Sequence, residues 1–476
     1  MARRRRRLTT SIMVSPRLTR AKKWLLIALV AIAAAAPRAS YGQDRRRVVE
    51  PRIPPVCATV TAALLAVRNK TTLQPSDEQK QDTSRIQQAI DHCPAGRAVE
   101  LKTSGSKDAF LSGPLQLRAG VTLLLDAHAI LFASRNPRDY DVSPNSCGIV
   151  DRKGRGCKAL INVDHVAGAA VMGDGIIDGR GWAKLLRGSA SWWELAEQAR
   201  TGDRRQNCPR LVQAIGSDDF TLYRVTLKNA PNFHVFYSGG RGFTAWGVII
   251  DTPKTARNTD GIDPSSATDV TIAHCYIHAG DDNVAIKAGN SGPSSHITVA
   301  HNHFYTGHGM SIGSETNGGV SAVRVTDLSI DGADNGIRIK SNSSRGGVVH
   351  DVVYQDVCIR ETKNPILMDT HYSFYGKARN LLPVFHDVTL RRVRVLGMGK
   401  ITLEGYDESH RLGIRLDNVI LDAPAEVKIN ASHADITLGP GPVNFRPSGD
   451  DVQFTGNPRN GKPNACSDKF VPVPSK

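Results

Sequence analysis

A repeat in the second half of the chain restricts the folds that this sequence can adopt. Eight segments align, with starts separated by 23, 27, 27, 26, 29, 36 and 26 residues. In each segment, positions 1, 3, 6 and 8 are mostly apolar. The apolar alternation therefore shifts by one residue between positions 3 and 6. This shift predicts two strands that meet at a bend with both apolar faces inward. The segments begin at Phe220, Phe243, Val270, Ile297, Val323, Val352, Val388 and Ile414.

Segments of this kind cannot bury their apolar faces singly, but they can when they are stacked. We therefore predict an all-β fold, a single-stranded right-handed parallel β-helix. A barrel or sandwich would need hairpin turns such as Asn-Gly, which are not the recurring spacer here. Asp82 to Ile90 has the pattern of one short helix, which we expect to be an N-terminal cap. Residues 182–210 interrupt the strand pattern and are expected to form a long loop.

Position 6 of the repeat departs from the apolar pattern in one coil. It is Cys275 in one segment and Asn302 in the next. We expect Cys275 to be a buried thiol and Asn302 a hydrogen-bonded asparagine of the core, so both have structural roles.

The first 42 residues differ from the rest of the chain in charge and hydropathy. They contain ten Lys and Arg and no Asp or Glu, around an apolar run from Trp24 to Ala36. This pattern predicts a secretory signal peptide over residues 1–42 rather than a transmembrane anchor, which needs about 20 apolar residues. We predict one β-helix domain over residues 43–476, of which residues 43–114 are the lead-in and cap.

The signal also accounts for most of the net charge. The chain has 61 Lys and Arg against 45 Asp and Glu, a formal charge of +16, and without the ten basic residues of the signal it is +6. A large excess of positive charge in the folded part of the chain would indicate a nucleic-acid or membrane partner. The smaller excess remains compatible with a polyanionic substrate. We predict a monomer with no nucleic-acid partner and no membrane attachment after cleavage.

All eight cysteines follow the predicted signal. This distribution fits an oxidising compartment, so we predict export to the periplasm or the cell exterior. Many pairings are open, and the favoured bridges are Cys57–Cys93 and Cys147–Cys157. No cysteine or histidine spacing typical of zinc occurs, so we do not expect a metal bound by cysteine. We predict no cofactor.

Four polar clusters precede or open strands of the repeat at intervals of 22 to 30 residues. Counted from the first residue of each strand, Asp260, Asp282 and His308 occupy the same turn position in three successive coils. Stacking therefore predicts three carboxylates, one imidazole and two cations on one outer face. The clusters are Asn258-Thr259-Asp260, Gly280-Asp281-Asp282, Gly307-His308-Gly309 and Arg338-Ile339-Lys340.

Each of these residues also has a structural interpretation, because Asp and Asn often satisfy backbone groups in turns. Three acids in adjacent coils are harder to explain in that way, since like charges repel. A set of carboxylates suits glycosidic cleavage, where one acid protonates the leaving oxygen and another activates water or attacks carbon. Mutual repulsion would help to hold one acid protonated. Arg338 and Lys340 suit a carboxylate on the sugar, which indicates an acidic polysaccharide.

At these residues the sequence resembles the polygalacturonases, family 28 of the glycoside hydrolases. The resemblance covers roughly residues 80–430 and includes Gly173–Gly181, Asn229–Asn232 and Asn364–Tyr372. It implies a parallel β-helix that hydrolyses α-1,4-galacturonan (pectin) with inversion and without metal. It also implies Asp281 as the general acid, Asp260 and Asp282 as the groups that activate water, and His308 as support for the acid. Galacturonate would be bound by Arg338, Lys340 and Tyr372.

One position departs from the family pattern. Many relatives have Cys after the paired acids, whereas this chain has Asn283. We expect that change to affect packing more than catalysis. A pectate lyase or a non-catalytic polysaccharide-binding β-helix is the alternative function, and endo or exo action is left open.

Overall fold

The apolar positions of the repeat line the interior of a right-handed parallel β-helix, as predicted. This computed structural model describes residues 43–474, apart from 68, 70, 201–203 and 373–378. Residues from 42 onward form one compact unit. The predicted signal peptide lies outside the described residues. Among the described residues, no helix has both the length and the apolarity needed to cross a bilayer.

Eleven strands form one parallel sheet, which we call the front sheet. Each coil contributes one strand, so neighbouring strands in the sheet are successive coils of the chain. The front-sheet strands are Leu115–Gln116, Ile161–Asp164, Val212–Ile215, Val235–Ser238, Ile262–Ser265, Val284–Ile286, Met310–Gly313, Asn335–Lys340, Asn364–Asp369, Gly399–Glu404 and Val427–Ser432.

Twenty-one strands form the remaining wall of the coils, which we call the back sheet. They are Val56–Thr61, Arg97–Lys102, Ala109–Ser112, Val121–Leu125, Ile130–Ala133, Ala170–Gly173, Ile176–Asp178, Thr221–Tyr223, Thr226–Lys228, Thr244–Trp246, Ile249–Asp251, Thr268–Ala273, Tyr276–His278, Ser294–Phe304, Val320–Asp331, Val348–Arg360, Val384–Phe385, Val388–Leu396, Leu412–Leu421, Ala434–Leu438 and Val452–Thr455. A short antiparallel pair, Val150–Asp151 with Arg205–Gln206, lies outside both sheets.

The bend predicted between positions 3 and 6 of the repeat is a single left-handed residue. In all eight segments the residue at position 5 has a φ between 51° and 63°. One residue in this conformation turns the chain while the side chains at positions 1, 3, 6 and 8 stay inside. The eight left-handed residues are Arg224, Gly247, His274, His301, Asp327, Asp356, Arg392 and Asn418.

The two unusual residues at position 6 are structural, as predicted. Cys275 is a buried free thiol, and Asn302 is buried beside it in the next coil. The Asn302 side chain accepts from the Cys275 N–H at 2.8 Å and donates to the Ile272 carbonyl at 2.9 Å. The amide therefore satisfies backbone groups inside the core, where an unpaired group would be destabilising.

Two α-helices flank the described coils. The predicted cap is helix α1, Thr83–His92, and it buries Ile86 and Ile90 against the first coils. Asp82 does not cap α1 with its side chain but accepts from the Leu111 N–H at 3.0 Å. The segment predicted as a long loop contains helix α2, Trp192–Gln198, which the sequence pattern missed.

Helix α2 is short and begins with a local signal. Ser191 accepts from the Glu194 N–H, while the Glu194 side chain accepts from the Ser191 N–H, which forms a capping box. Trp192 is fully buried and meets Tyr140 edge to face at 6.0 Å. Three short 3₁₀ turns complete the helical elements: Pro75–Asp77, Pro137–Tyr140 and Pro424–Glu426.

Both predicted disulfides are present, Cys57–Cys93 and Cys147–Cys157. The third, Cys358–Cys466, joins residues 108 apart and was not predicted. It fastens the C-terminal tail to a back-sheet strand. The free cysteines are Cys208 and Cys275, and both are buried.

Replacing both Cys358 and Cys466 by Ala should lower the free energy of unfolding by about 2–5 kcal/mol, because the bridge closes a long loop in the unfolded chain. Denaturant unfolding of the oxidised protein measures the change, with Cys208→Ala as a matched control that removes no bridge. A double variant as stable as the control would contradict this role of the bridge.

Candidate active site

The polar clusters lie along the outer face of the front sheet, where the predicted stacking is observed. Asp260, Asp282 and His308 occupy one turn position in three successive coils. Asp281 lies beside Asp282, and Arg338 and Lys340 lie on the strand after His308. The strand register is Ile262 with Val284, Val284 with Met310 and Met310 with Ile337.

Asp282 is held by three side chains from neighbouring coils. Its Oδ1 accepts from Ser311 Oγ at 2.7 Å and from Arg338 Nη1 at 3.2 Å, and its Oδ2 accepts from Lys340 Nζ at 2.7 Å. Burial disfavours the charged carboxylate, but the charges of Lys340 and Arg338 outweigh burial and lower the pKa of Asp282. Asp282 is therefore an ionised carboxylate at the centre of the site.

Asp281 and His308 form a second pair. His308 Nδ1 lies 3.1 Å from Asp281 Oδ1, and the His308 N–H donates to the Asp281 carbonyl at 2.8 Å. Burial opposes charge on both side chains. The hydrogen bond and the opposite charges outweigh burial, so they lower the pKa of Asp281 and raise the pKa of His308. Asp281 is the most accessible of the three predicted acids, with 20% of its side chain exposed.

Asp260 belongs to a third group that the sequence analysis did not recognise. Lys287 Nζ lies 3.3 Å from Asp260 Oδ2 and 2.5 Å from Asp263 Oδ2. One oxygen of each carboxylate is buried without a hydrogen-bond partner among the described residues. Burial and the neighbouring charges of Asp263 and Asp281 raise the pKa of Asp260 well above its ordinary value, and burial raises the pKa of Asp263 to about 6.

The mutual repulsion expected from three acids is therefore present, but it acts on a different residue from the expected acid. The family resemblance implied Asp281 as the general acid, whereas the raised pKa values belong to Asp260 and Asp263. The cause is His308, whose hydrogen bond and charge favour the ionised form of Asp281. The proton near Asp281 is then carried by the imidazole.

Tyr372 covers the two predicted substrate-binding cations. Its ring centroid is 5.3 Å from Arg338 Cζ and 5.3 Å from Lys340 Nζ. Its backbone N–H donates to the Ser341 carbonyl at 3.0 Å. The structure thus places Tyr372 beside both cations, and its contact with galacturonate stays a prediction.

Asn283, the residue that departs from the family pattern, is buried and hydrogen-bonds to backbone groups beside the acids. Its side chain donates to the Ile277 carbonyl at 2.9 Å and to the Thr306 carbonyl at 3.1 Å. It also accepts from the Gly309 N–H at 2.8 Å. Asn283 therefore fixes the turn that carries His308, a packing role in agreement with the expectation.

Three side chains of the site could in principle face a cation. One ligand atom each from Asp281, Asp282 and His308 lies within 4.8 Å of the others. Arg338 and Lys340 already donate to Asp282, so an added metal ion would stand beside two fixed positive charges. Charge complementarity therefore makes these residues a poor fit to a divalent metal, and the absence of a cofactor stays a prediction.

The sequence analysis missed Asp263, Lys287 and Ser311. Asp263 and Ser311 occupy the first outward position of their strands, as does Arg338. Lys287 occupies the second outward position, as does Lys340. The register that located Arg338 and Lys340 thus also contained the signal for these residues.

Comparisons with known proteins agree with this geometry. The sequence model of Glycosyl hydrolases family 28 matches residues 107–437. A protein of Ralstonia nicotianae named polygalacturonase is 40% identical, with 95% of this chain and 97% of that protein covered. A protein of Pectobacterium parmentieri named endo-polygalacturonase is 43% identical, with coverage of 82% and 92%.

A solved structure gives the same result. The polygalacturonase from Erwinia carotovora ssp. carotovora superposes with a TM-score of 0.72 at 39% identity, covering 89% of this chain and 99% of that chain. The match spans the coils that carry the three acids, the histidine and the two cations. The chain therefore belongs to family 28 of the glycosyl hydrolases and is a glycoside hydrolase.

Proposed function

We propose that this protein is a polygalacturonase, which hydrolyses α-1,4-glycosidic bonds between galacturonate residues of pectin. The observation that carries the proposal is one outer face on which the three predicted carboxylates, an imidazole and a paired Arg and Lys meet. The relatives named polygalacturonase support the same substrate. Membership of a hydrolase family disfavours the lyase and the non-catalytic binding protein.

Arg338 and Lys340 bind the substrate carboxylate in this proposal. Each donates one hydrogen bond to Asp282. Further donors remain on both side chains, because a guanidinium carries five N–H groups and an ammonium carries three. Arg binds a carboxylate as a planar fork and Lys binds it as a point charge. Tyr372 restricts both side chains and so orients them for the sugar ring.

Asp281 and His308 act together as the general acid. Asp281 is 20% exposed, against 5% for Asp260 and 2% for Asp282, so it is the carboxyl that a glycosidic oxygen can reach. In the ion pair, Asp281 is ionised and His308 carries the transferable proton. In the neutral pair, the same proton is on Asp281. As the bond from the anomeric carbon to oxygen breaks, Asp281 delivers that proton to the leaving oxygen.

Asp260 and Asp282 activate the water in this proposal. Asp282 is ionised and fixed, so it orients water and stabilises positive charge on the sugar. Asp260 has a raised pKa, so its carboxylate is a strong acceptor for the water proton. Inversion at the anomeric carbon stays a prediction of the family resemblance. Asp281 and Asp282 offer oxygens within 4.8 Å, below the roughly 6.5–9.5 Å typical of inverting pairs.

The position of the site favours internal cleavage of the polymer. The acids and cations occupy four consecutive front-sheet strands, with four strands before them and three after them. A cavity of about 530 Å³ lies on the earlier strands and one of about 380 Å³ lies on the later strands. A polymer can therefore extend along the front sheet in both directions, so we propose endo action.

The protein is exported in this proposal and acts as a monomer on pectin outside the cytoplasm. Three disulfides fit an oxidising compartment. The basic and apolar residues 1–42 supply the predicted signal.

Asp281→Asn should abolish release of reducing ends from polygalacturonate, because Asn cannot donate the proton, while binding of the polymer stays measurable. Reducing-end assays and affinity electrophoresis measure the two properties. Asp387→Asn is a matched control, since Asp387 pairs with His386 away from the front sheet. Hydrolysis by Asp281→Asn at the rate of that control would exclude the acid assignment.

The pH profile of kcat/KM should be bell-shaped. Activity falls as the pH rises through the raised pKa of His308, because the acid pair loses its proton. Activity falls at low pH as Asp260 is protonated, at a pH above the ordinary range for Asp.

Asp263→Asn provides a test of the acidic limb. It removes the neighbouring charge that raises the pKa of Asp260, so that limb should move to lower pH while the alkaline limb stays in place. A limb that stays in place or moves to higher pH would contradict the assignment of Asp260 as the base.

A further inference from the structure

Arg210 occupies the same turn position as Asp260, two coils earlier. Val212 pairs with Val235, and Val235 pairs with Ile262. At roughly 4.8 Å for each strand, Arg210 lies about 10 Å along the sheet from Asp260. It has no part in the chemistry proposed above, yet it lies on the same outer face.

The guanidinium of Arg210 lies over two aromatic rings. Its Cζ lies 3.9 Å from the ring centroid of Phe236 and 5.3 Å from that of Phe233. Its Nη1 donates to Gln213 Oε1 at 2.6 Å. Phe236 and Gln213 both occupy outward positions of front-sheet strands, so the guanidinium lies on the groove side of the sheet.

Arg210 differs from the other cations of this face in its partners. Lys287, Arg338 and Lys340 each contact a carboxylate of the site. Within the part of the chain that the structure describes, no carboxylate forms an ion pair with Arg210. Burial lowers the pKa of Arg210 to about 10, which leaves it charged at every pH at which the protein would work. The guanidinium is therefore oriented without a carboxylate bonded to it, while Asp263 and Asp260 lie near enough for their charges to favour its charged form.

The groove continues past Arg210 toward the first coils. The cavity of about 530 Å³ shares Gln213 with the Arg210 contact and is lined further on by Asn162 and Lys158. Arg155 lies close enough for its charge to lower the pKa of Arg210. This end of the groove is thus polar and basic, which suits a polyanion better than a neutral chain.

We propose that Arg210 binds the carboxylate of a second galacturonate unit, on the N-terminal side of the bond that is cleaved. The proposal rests on the proposed function and assigns to Arg210 the recognition of longer, non-esterified stretches of the polymer. Stacking on the two Phe rings fixes the guanidinium before binding, so little conformational entropy is lost. A methyl ester on that unit removes the charge that Arg210 recognises.

The test uses a series of oligogalacturonates of increasing length with the full protein. In the wild type, kcat/KM should rise once the chain is long enough to reach Arg210. Arg210→Gln should remove that rise, a loss of roughly 10- to 100-fold on long substrates. On the shortest substrate that is cleaved, the variant should stay within about twofold of the wild type. Arg210→Lys, which keeps a charge, should recover part of the rise.

Controls separate recognition from a structural role. Arg391→Gln removes a back-sheet ion pair with Asp417 and should leave the length dependence unchanged. Wild-type activity on long substrates should fall when the distal unit is methyl-esterified, whereas Arg210→Gln should not respond to that ester. A loss that is equal at every length, or no loss at any length, overturns the inference. A wild type that releases no reducing ends from polygalacturonate instead overturns the proposed function.

Discussion

The parallel register between successive coils is the constraint on which the site depends. Each front-sheet strand pairs residue by residue with the strand one coil later, so one turn position recurs on the same face throughout the fold. Residues that are 22 to 30 apart in the chain become neighbours. A shift of one residue would move the outward side chains into the core. The apolar core of the coils therefore also fixes the geometry of the polar face.

The polar face is stable because its charges are compensated in separate groups. Asp282 is neutralised by Arg338 and Lys340, Asp281 by His308, and Asp260 with Asp263 by Lys287. Burial raises the pKa values of both acids in the last group, and its single cation does not offset that effect. Removing one member of a buried group would leave an uncompensated charge, which is strongly destabilising. Because the three groups differ in their balance of charge, their carboxyl groups have different pKa values.

The features that could be predicted from the sequence are those that recur at fixed positions of the repeat. Positions 1, 3, 6 and 8 gave the coils, and the bend between them is the left-handed residue of each segment. The same register placed Asp260, Asp282 and His308 together. The register also places Asp263 and Lys287 on this face, but neither belongs to one of the four motifs, so neither was recognised as part of the site.

The remaining features depend on contacts between distant parts of the chain. The Cys358–Cys466 bridge has no spacing signal, since the tail could have met any coil. Helix α2 is too short for a helical period, although its capping box was visible in the sequence. The proton balance between Asp281 and His308 depends on a 3.1 Å contact between coils, which no pattern of residue types specifies.

The most direct test of the account is the product time course on polygalacturonate, with chain length and ultraviolet absorbance followed together. We expect early release of saturated oligosaccharides of mixed length, one new reducing end for each bond cleaved, and no absorbance from unsaturated sugars. Unsaturated products would show elimination rather than hydrolysis. Such products, or a polymer that stays intact, would contradict the assignment of the front sheet as a polygalacturonase site.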